Sequence, residues 1–197
     1  PFGLLNVRGN GSGIREARRE VDTWLADRLR RTARKLGVST ASLYHMAWAQ
    51  VLARVSGRDD VVFGTVLFGR MQGGEGANRA AGIFINTLPV RISVGEQGVE
   101  KSVRETHRLL TELLRHEHAP LTLAQRCSAV AAPTPLFSGL LNYRHAQKVA
   151  TDEDDNVAWE GIDLLGGEER SNYPFSLNVN DWGEGFTLNT QVESPVD

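Results

Sequence analysis

The stretch from Ser42 to Phe68 constrains the fold most, because a helix pattern and a strand pattern that both require burial follow each other directly. The segment SLYHMAWAQVLARV, residues 42–55, is apolar on most helical faces, with Ser39 available as an N-cap and Gly57 as a stop. DDVVFGTVLFG at residues 59–69 is rich in β-branched and aromatic residues. The pair predicts helices packed on a sheet.

Further patterns extend this layered unit along the chain. Helical stripes comprise Val21, Trp24, Leu25, Leu29, Ala33 and Leu36, and later Val99, Val103, Leu110, Leu113 and Leu114, and Pro120 can start a short helical turn. Strands are predicted at residues 82–91, 136–145, 157–166, 174–182 and 185–192, with a glycine-rich loop at 70–82. With no internal repeat and no convincing linker, we expect one α/β domain or part of one.

Composition excludes several classes of function. The chain has 197 residues, a net charge of -2 and a pI near 6.3, so it offers no overall attraction to nucleic acid or to anionic lipid. The single cysteine, Cys127, permits no intrachain disulfide, and no apolar run approaches the ~20 residues of a membrane span. We therefore expect a cytoplasmic protein without nucleic-acid or membrane partners.

Residues that suggest catalysis or metal binding have simpler interpretations. His116 and His118 do not share a helical face and lack a third ligand at zinc spacing, so they indicate a helix end. His45 lies in the buried helix, where a packed or hydrogen-bonded histidine is usual. No cysteine-protease signature surrounds Cys127, which favours a buried structural thiol.

The glycine-rich stretches lack the phosphate-loop motifs. Eight basic residues between Arg15 and Lys35 alternate with acidic ones, as on a solvated helix that could dock an acidic partner.

Polar residues inside apolar strands are the remaining candidates. In GIFINTLPVR, Asn86 and Thr87 are adjacent, so the pleat directs one side chain to each face of the sheet. Because buried amides and hydroxyls need partners, such residues together suggest a network, a ligand channel or an interface. Alternatively, they face water on one side of an antiparallel sheet. The group consists of Thr65, Asn86, Thr87, Ser138, Asn142, Asn178 and Asn180.

Four ordered segments resemble the C-terminal half of the condensation domains of nonribosomal peptide synthetases. They are residues 42–70, AGIFINTLPVR, RHEHAPLTLAQR and TPLFSGLLNYRH. Residues 82–87 are similar to the family's G-x-F-[VI]-N-T strand. His116 to Leu121 resembles its H-Q-D-x-P-F element, from which Glu117, His118 and Leu121 depart. The similarity extends over nearly the whole chain.

The resemblance implies a chloramphenicol-acetyltransferase-like α/β fold of two similar lobes, of which residues 1–197 are the second, truncated at both ends, with a mixed sheet packed against helices. In the family, a tunnel between the lobes admits two substrates tethered to carrier domains by 4'-phosphopantetheine, and the amine of one attacks the thioester of the other. The resemblance places Thr65, Arg70, Asn86, Thr87, Ser138, Asn142 and Tyr143 at this tunnel. No cofactor is expected to bind directly.

The family's catalytic H-H-x-x-x-D-G signature belongs to the first lobe, and the sequence has no adjacent histidines. We therefore expect no catalytic residue here and no activity of the chain alone. The implied partners are the N-terminal lobe, carrier domains and an adenylation domain. The segment HEHAPLTLAQRC is similar to the corresponding segment of dual epimerisation and condensation domains. An epimerisation or heterocyclisation lobe and a noncatalytic carrier-docking module remain alternatives, and an uncovered lobe surface predicts self-association.

Overall fold

The computed structural model describes residues 7, 9, 13–68, 82, 84–145 and 171–194. Its helices are α1 (Thr23–Leu36), α2 (Thr40–Ser56), α3 (Val99–Leu114) and α4 (Leu121–Cys127). Its strands are β1 (Ile14–Val21), β2 (Asp60–Phe68), β3 (Ile85–Ser93), β4 (Gly139–His145), β5 (Phe175–Asp181) and β6 (Phe186–Glu193). The predicted strand at 157–166 and the glycine-rich loop lie outside the described residues.

The strands form one mixed sheet in the order β1-β6-β5-β4-β2-β3. The central pairs β2/β4 and β4/β5 are parallel, and the other neighbouring pairs are antiparallel. This arrangement confirms the predicted α/β class with a mixed sheet packed against helices.

Helices α2 and α3 cover one side of the sheet, here called the helix face. Trp48 of α2 contacts Phe175 with ring centroids 4.6 Å apart, and Phe63 and Val90 join the same buried cluster. The Ser39 hydroxyl accepts a hydrogen bond from the Ser42 amide and caps α2, as its sequence position suggested. Burial of the apolar α2 against the sheet therefore follows the sequence pattern. The opposite side of the sheet is called the far face.

One sequence expectation was wrong at the edge of the fold. The charged segment IREARREV forms strand β1 and not part of a solvated helix. Strand β1 lies at the edge of the described sheet with mostly exposed residues, and charge of this kind protects a sheet edge from aggregation. The predicted helix forms as α1, which ends at Gly37, and its apolar stripe is only partly buried, since Trp24 is 63% exposed and stacks under the Arg28 guanidinium.

The described helices are all too short or too polar to cross a bilayer. Cys127 ends α4, a surface helix without buried residues, and the thiol is exposed. The expectation of a buried structural cysteine was therefore wrong.

Candidate functional site

The structure divides the polar residues predicted at the site between the two faces of the sheet. The strand register places Thr65, Asn86 and Tyr143 on the helix face, together with Phe63 and Leu141. Thr87 and Asn142 point to the far face, and Ser138, which is 7% exposed, directly precedes β4. Arg70 lies outside the described residues. The six described residues of the predicted group therefore do not share one face of the sheet.

The Asn86 side chain ties β3 to the connection between α3 and α4. Its Nδ2 donates to the backbone carbonyls of Glu117 and Ala119, both at 2.8 Å, and its Oδ1 accepts from the Thr87 amide at 2.9 Å. Both amide protons and the carbonyl oxygen thus have partners. Asn86 therefore positions residues 117–119 against the sheet.

A row of asparagines crosses the far face. Asn142 on β4 pairs in register with Asn178 on β5, which pairs with Asn189 on β6. Beside this row, Ser176 pairs with Gln191, and both are 2% exposed. A sheet face of this kind normally carries apolar residues when it is buried, so the buried amides and hydroxyls require an explanation.

Part of this row lacks hydrogen-bond partners. Within the part of the chain that the structure describes, Asn142 Oδ1, Ser176 Oγ and Asn189 Oδ1 are buried and make no hydrogen bond. An unpaired buried polar atom costs about 1–3 kcal/mol, which a ligand or a partner can offset by supplying the missing bond. These two carbonyl oxygens and one hydroxyl are covered within the chain and have no hydrogen-bond partner among the described residues.

Neighbouring hydrogen bonds hold the row in place. Arg144 Nε donates to Asn180 Oδ1 at 2.8 Å, next to Asn142 along the strands. Asn189 Nδ2 donates to Glu16 Oε1 at 2.6 Å, so its carbonyl oxygen is the free end of the amide. These bonds orient the side chains while leaving the acceptors unpaired.

The helix-face residues belong to two satisfied networks. His45 Nε2 and Thr65 Oγ1 are 2.8 Å apart, and burial lowers the pKa of His45 to about 4. Tyr143 donates to Asp181 Oδ2 at 2.5 Å and lies 2.8 Å from Thr40 Oγ1, and its pKa is raised by burial and then by Asp181. His45 is thus the hydrogen-bonded core histidine that the sequence suggested.

Asp181 is the centre of the second network. Arg30 binds its carboxylate through two nitrogens, at 2.5 and 3.3 Å, and the Gly183 amide donates to it at 3.0 Å. Burial by itself raises the pKa of Asp181, but the hydrogen bonds from Arg30, Tyr143 and Gly183 outweigh it and hold the pKa near 2. The carboxylate is therefore charged at neutral pH.

Ser176 and Asn189 are not among the residues predicted from the sequence. Polar residues alternate along β5 as Ser176, Asn178 and Asn180, and along β6 as Thr187, Asn189 and Gln191. A period of two places each set on one face. Comparing the alternation of the two strands, instead of selecting single asparagines, would have identified this face.

The histidines that suggested a metal site lie at a helix end. His116 and His118 lie in the turn after α3, as predicted for a helix end, and His118 Nε2 is 3.6 Å from Glu117 Oε1. In the described residues, no group of three or more histidine, cysteine or carboxylate side chains could hold a metal ion.

Comparison with known proteins places this geometry in a family. Residues 11–194 match the family model "Condensation domain". The chain is 52% identical over 197 residues to malpinin synthetase of Mortierella alpina and 33% identical over 169 residues to bacitracin synthase 3 of Bacillus licheniformis. The matches cover 100% and 84% of this chain but only 2% and 3% of the two synthetases.

Solved structures show the same fold. The condensation domain from the Monacolin K polyketide synthase MokA superposes with a TM-score of 0.71 at 22% identity, over 98% of this chain and 45% of that one. The first condensation domain of the calcium-dependent antibiotic synthetase, in complex with a substrate analogue, gives a TM-score of 0.66 at 18% identity, over 98% and 44% of the two chains. On the match of residues 11–194 to the family model, this chain belongs to the condensation domain family of nonribosomal peptide synthetases.

Proposed function

We propose that the chain is the C-terminal lobe of a condensation domain and forms one wall of the tunnel in which a peptide bond is made. In this reaction, the amine of one tethered substrate attacks the thioester carbonyl of the other. The new C–N bond replaces the C–S bond, and the thiol leaves with the proton that the amine gives up. The coverage of 45% of a solved condensation domain supports the assignment to one lobe.

The match of residues 11–194 to the condensation domain model is the observation that carries the proposal, and the unpaired atoms on the far face indicate where a substrate would bind. A 4'-phosphopantetheine arm and an aminoacyl group carry amide or amine N–H donors. Asn142 Oδ1 and Asn189 Oδ1 are acceptors without a partner among the described residues, and Ser176 Oγ lies between their strands. A tethered substrate that displaces the groups covering these atoms would supply the missing hydrogen bonds.

The predicted site residues take two roles in this proposal. Asn142, Thr87 and Ser138 contact the tethered substrates from the far face. Thr65, Asn86 and Tyr143 position the strands from the helix face, where their polar atoms already have partners. Arg70, outside the described residues, is retained from the family resemblance as a tunnel residue.

The chain requires partners for turnover. Its sequence contains no adjacent histidines and so lacks the family's H-H-x-x-x-D-G signature, and in this proposal the N-terminal lobe supplies the base. Carrier domains deliver the substrates on 4'-phosphopantetheine, and an adenylation domain charges the carriers. The lobe surface that meets the N-terminal lobe makes the isolated chain self-associate.

A condensation assay by mass spectrometry tests the proposal. Carrier domains loaded with aminoacyl groups are mixed with the chain alone and with the chain joined to its N-terminal lobe. We expect a carrier-bound dipeptide only with the joined protein. A product with an inverted donor residue would assign the domain to the dual epimerisation and condensation subtype.

The alternative of a noncatalytic docking module predicts a different result. It predicts carrier binding, measured by sedimentation or calorimetry, with no dipeptide even from the joined protein. Dipeptide formation by the chain alone would contradict the assignment of the base to the N-terminal lobe.

A further inference from the structure

Helix α1 carries a row of one aromatic and three basic residues on its solvent side, here called the α1 row. Its members recur at steps of four, three and four residues and therefore share one side of the helix. They are Trp24, Arg28, Arg31 and Lys35, and all four are exposed. Ala26 and Ala33, which are 0% and 3% exposed, mark the opposite side, where α1 packs on the fold. The α1 row thus faces away from the rest of the described chain.

The basic side chains of the α1 row have no counter-charge of their own. Among the described residues, none of the three forms an ion pair with a carboxylate. Arg31 follows Arg28 by three residues and precedes Lys35 by four, spacings at which like charges on a helix repel each other. The helix dipole favours Lys35 in the last turn, but it does not favour arginines in the middle of α1. Carboxylates on a partner would relieve this repulsion.

Trp24 gives the α1 row an apolar end. It is 63% exposed, and the neighbouring Leu25 is 38% exposed. The guanidinium carbon of Arg28 lies 4.5 Å from the centre of the Trp24 ring, so the ring is already held in one place. Stacking uses the flat face of the guanidinium and leaves its N–H edges free to bind a carboxylate. Exposed tryptophan and arginine of this kind are the residues that most often dominate the binding energy of protein interfaces.

We propose that the α1 row docks an acidic helix of another protein domain. Its basic residues extend over about 10 Å of helix, or about two turns, which matches carboxylates spaced one turn apart on a partner helix. An apolar residue one turn beyond the carboxylates would cover Trp24. The net charge of -2 gives no general attraction to nucleic acid or anionic lipid, so a short basic row with an aromatic end favours a protein partner. The proposal concerns the solvent side of α1 and is independent of the peptide-bond activity.

Fluorescence anisotropy of a labelled helical peptide tests the proposal in the protein joined to its N-terminal lobe. The probe carries glutamates at positions i, i+4 and i+7 and a leucine at i+11, and a reference peptide has glutamine in place of each glutamate. At low salt we expect saturable binding of the glutamate peptide, about tenfold tighter than that of the glutamine peptide, as for three exposed ion pairs. Added salt should weaken the binding, because it screens exposed charges.

Charge variants locate the binding on α1. Arg28→Gln combined with Arg31→Gln should weaken binding of the glutamate peptide by about fivefold. Lys101→Gln combined with Arg108→Gln removes the same charge from exposed positions of α3 and should change the affinity by less than about twofold. Thermal unfolding checks that each variant is folded.

A second pair of variants tests the aromatic end. Trp24→Ala should weaken binding of the glutamate peptide by about fivefold, as expected for an interface tryptophan, whereas Val99→Ala, at a position that is 71% exposed on α3, should leave it unchanged. Absence of saturable binding, equal affinity for the two peptides, or an equal loss in the α1 and α3 charge variants would each overturn the proposal. Binding to phosphatidylserine vesicles that requires Arg28 and Arg31, without binding of the peptide, would assign the α1 row to a membrane and also overturn it.

Discussion

Replacing Asp181 with asparagine removes one charge from a buried network that joins four elements of the fold. The Asp181 side chain is 3% exposed, and Arg30 of α1 pairs with it at 2.5 Å. Tyr143 of β4 also donates to it, and Tyr143 is in turn bonded to Thr40 of α2. The substitution Asp181→Asn keeps the shape of the side chain but leaves the Arg30 guanidinium without its counter-charge.

The expected loss of stability follows from burial. Removing one partner of a fully buried ion pair costs about 3–5 kcal/mol, because the remaining charge is left desolvated. The Arg30 side chain is 19% exposed, so water screens part of this cost. We therefore expect Asp181→Asn to lower the free energy of unfolding by about 2–3 kcal/mol at pH 7.

The pH dependence has a definite sign. The pKa of Asp181 falls from 3.8, its ordinary value, to about 2 in the folded chain. A lowered carboxyl pKa stabilises the folded state above about pH 4, and this stability is lost as the pH falls through 2. The difference between the unsubstituted protein and Asp181→Asn should thus shrink between pH 4 and pH 2. Urea unfolding followed by tryptophan fluorescence measures it.

An exposed pair provides the control. Arg91 and Asp60 form a salt bridge whose side chains are 75% and 45% exposed, and solvent screens such pairs strongly. Asp60→Asn should therefore shift the urea midpoint much less than Asp181→Asn. Equal shifts for the two variants, or no shift for Asp181→Asn, would refute the assignment of Asp181 as a buried organising charge.

Three further predictions concern the core and the strand that carries the polar pair. Gly64→Ala should lower the free energy of unfolding, measured in urea, by about 1–3 kcal/mol, because the added methyl would overlap the Phe137 ring. Adding Phe137→Leu should recover part of this loss, and full stability of Gly64→Ala alone would contradict the packing. Burial lowers the pKa of His45 to about 4, so the stability of the folded chain should decline as the pH falls from about 6.5 to 4. In thermal unfolding, His45→Gln should remove this decline, and a decline of the same size in the variant would exclude His45 as its cause. Asn86→Ala removes the donor of two backbone carbonyls, so in the joined protein it should lower both dipeptide turnover and the protease resistance of residues 117–119. Unchanged turnover in Asn86→Gln would argue against a role of this amide in positioning residues 117–119.

The sequence predicted the central elements well because local pattern and tertiary environment agree there. Helix α2 is apolar on most faces and lies against the sheet, and β2 and β3 follow the β-branched runs. The edge was harder to predict. Strand β1 is held by its backbone ladder to β6, and its exposed charged side chains carry no apolar alternation that would reveal a strand.

The candidate site was predictable in residue type but not in arrangement. The sequence indicates that Asn86 and Thr87 point in opposite directions, yet it does not say which face carries the helices. That depends on the register of β3 with β2, which places Asn86 beside the buried Leu67. The unpaired oxygen of Asn142 depends on contacts between strands that are distant in sequence, so only the assembled sheet reveals it.

The most direct test of the central claim compares turnover and stability for one substitution, Asn142→Leu, in the protein joined to its N-terminal lobe. Because Asn142 Oδ1 has no partner among the described residues, an apolar side chain of similar size should leave the urea midpoint unchanged or slightly higher. If the far face binds the tethered substrates, kcat/KM for dipeptide formation should fall by about tenfold, as expected for one lost hydrogen bond in a buried site. Asn172→Leu, at an exposed position where the side chain donates to the Val7 carbonyl, serves as the control for loss of an asparagine away from the far face and should retain turnover. Full turnover by Asn142→Leu would contradict the assignment of the far face as the tunnel wall.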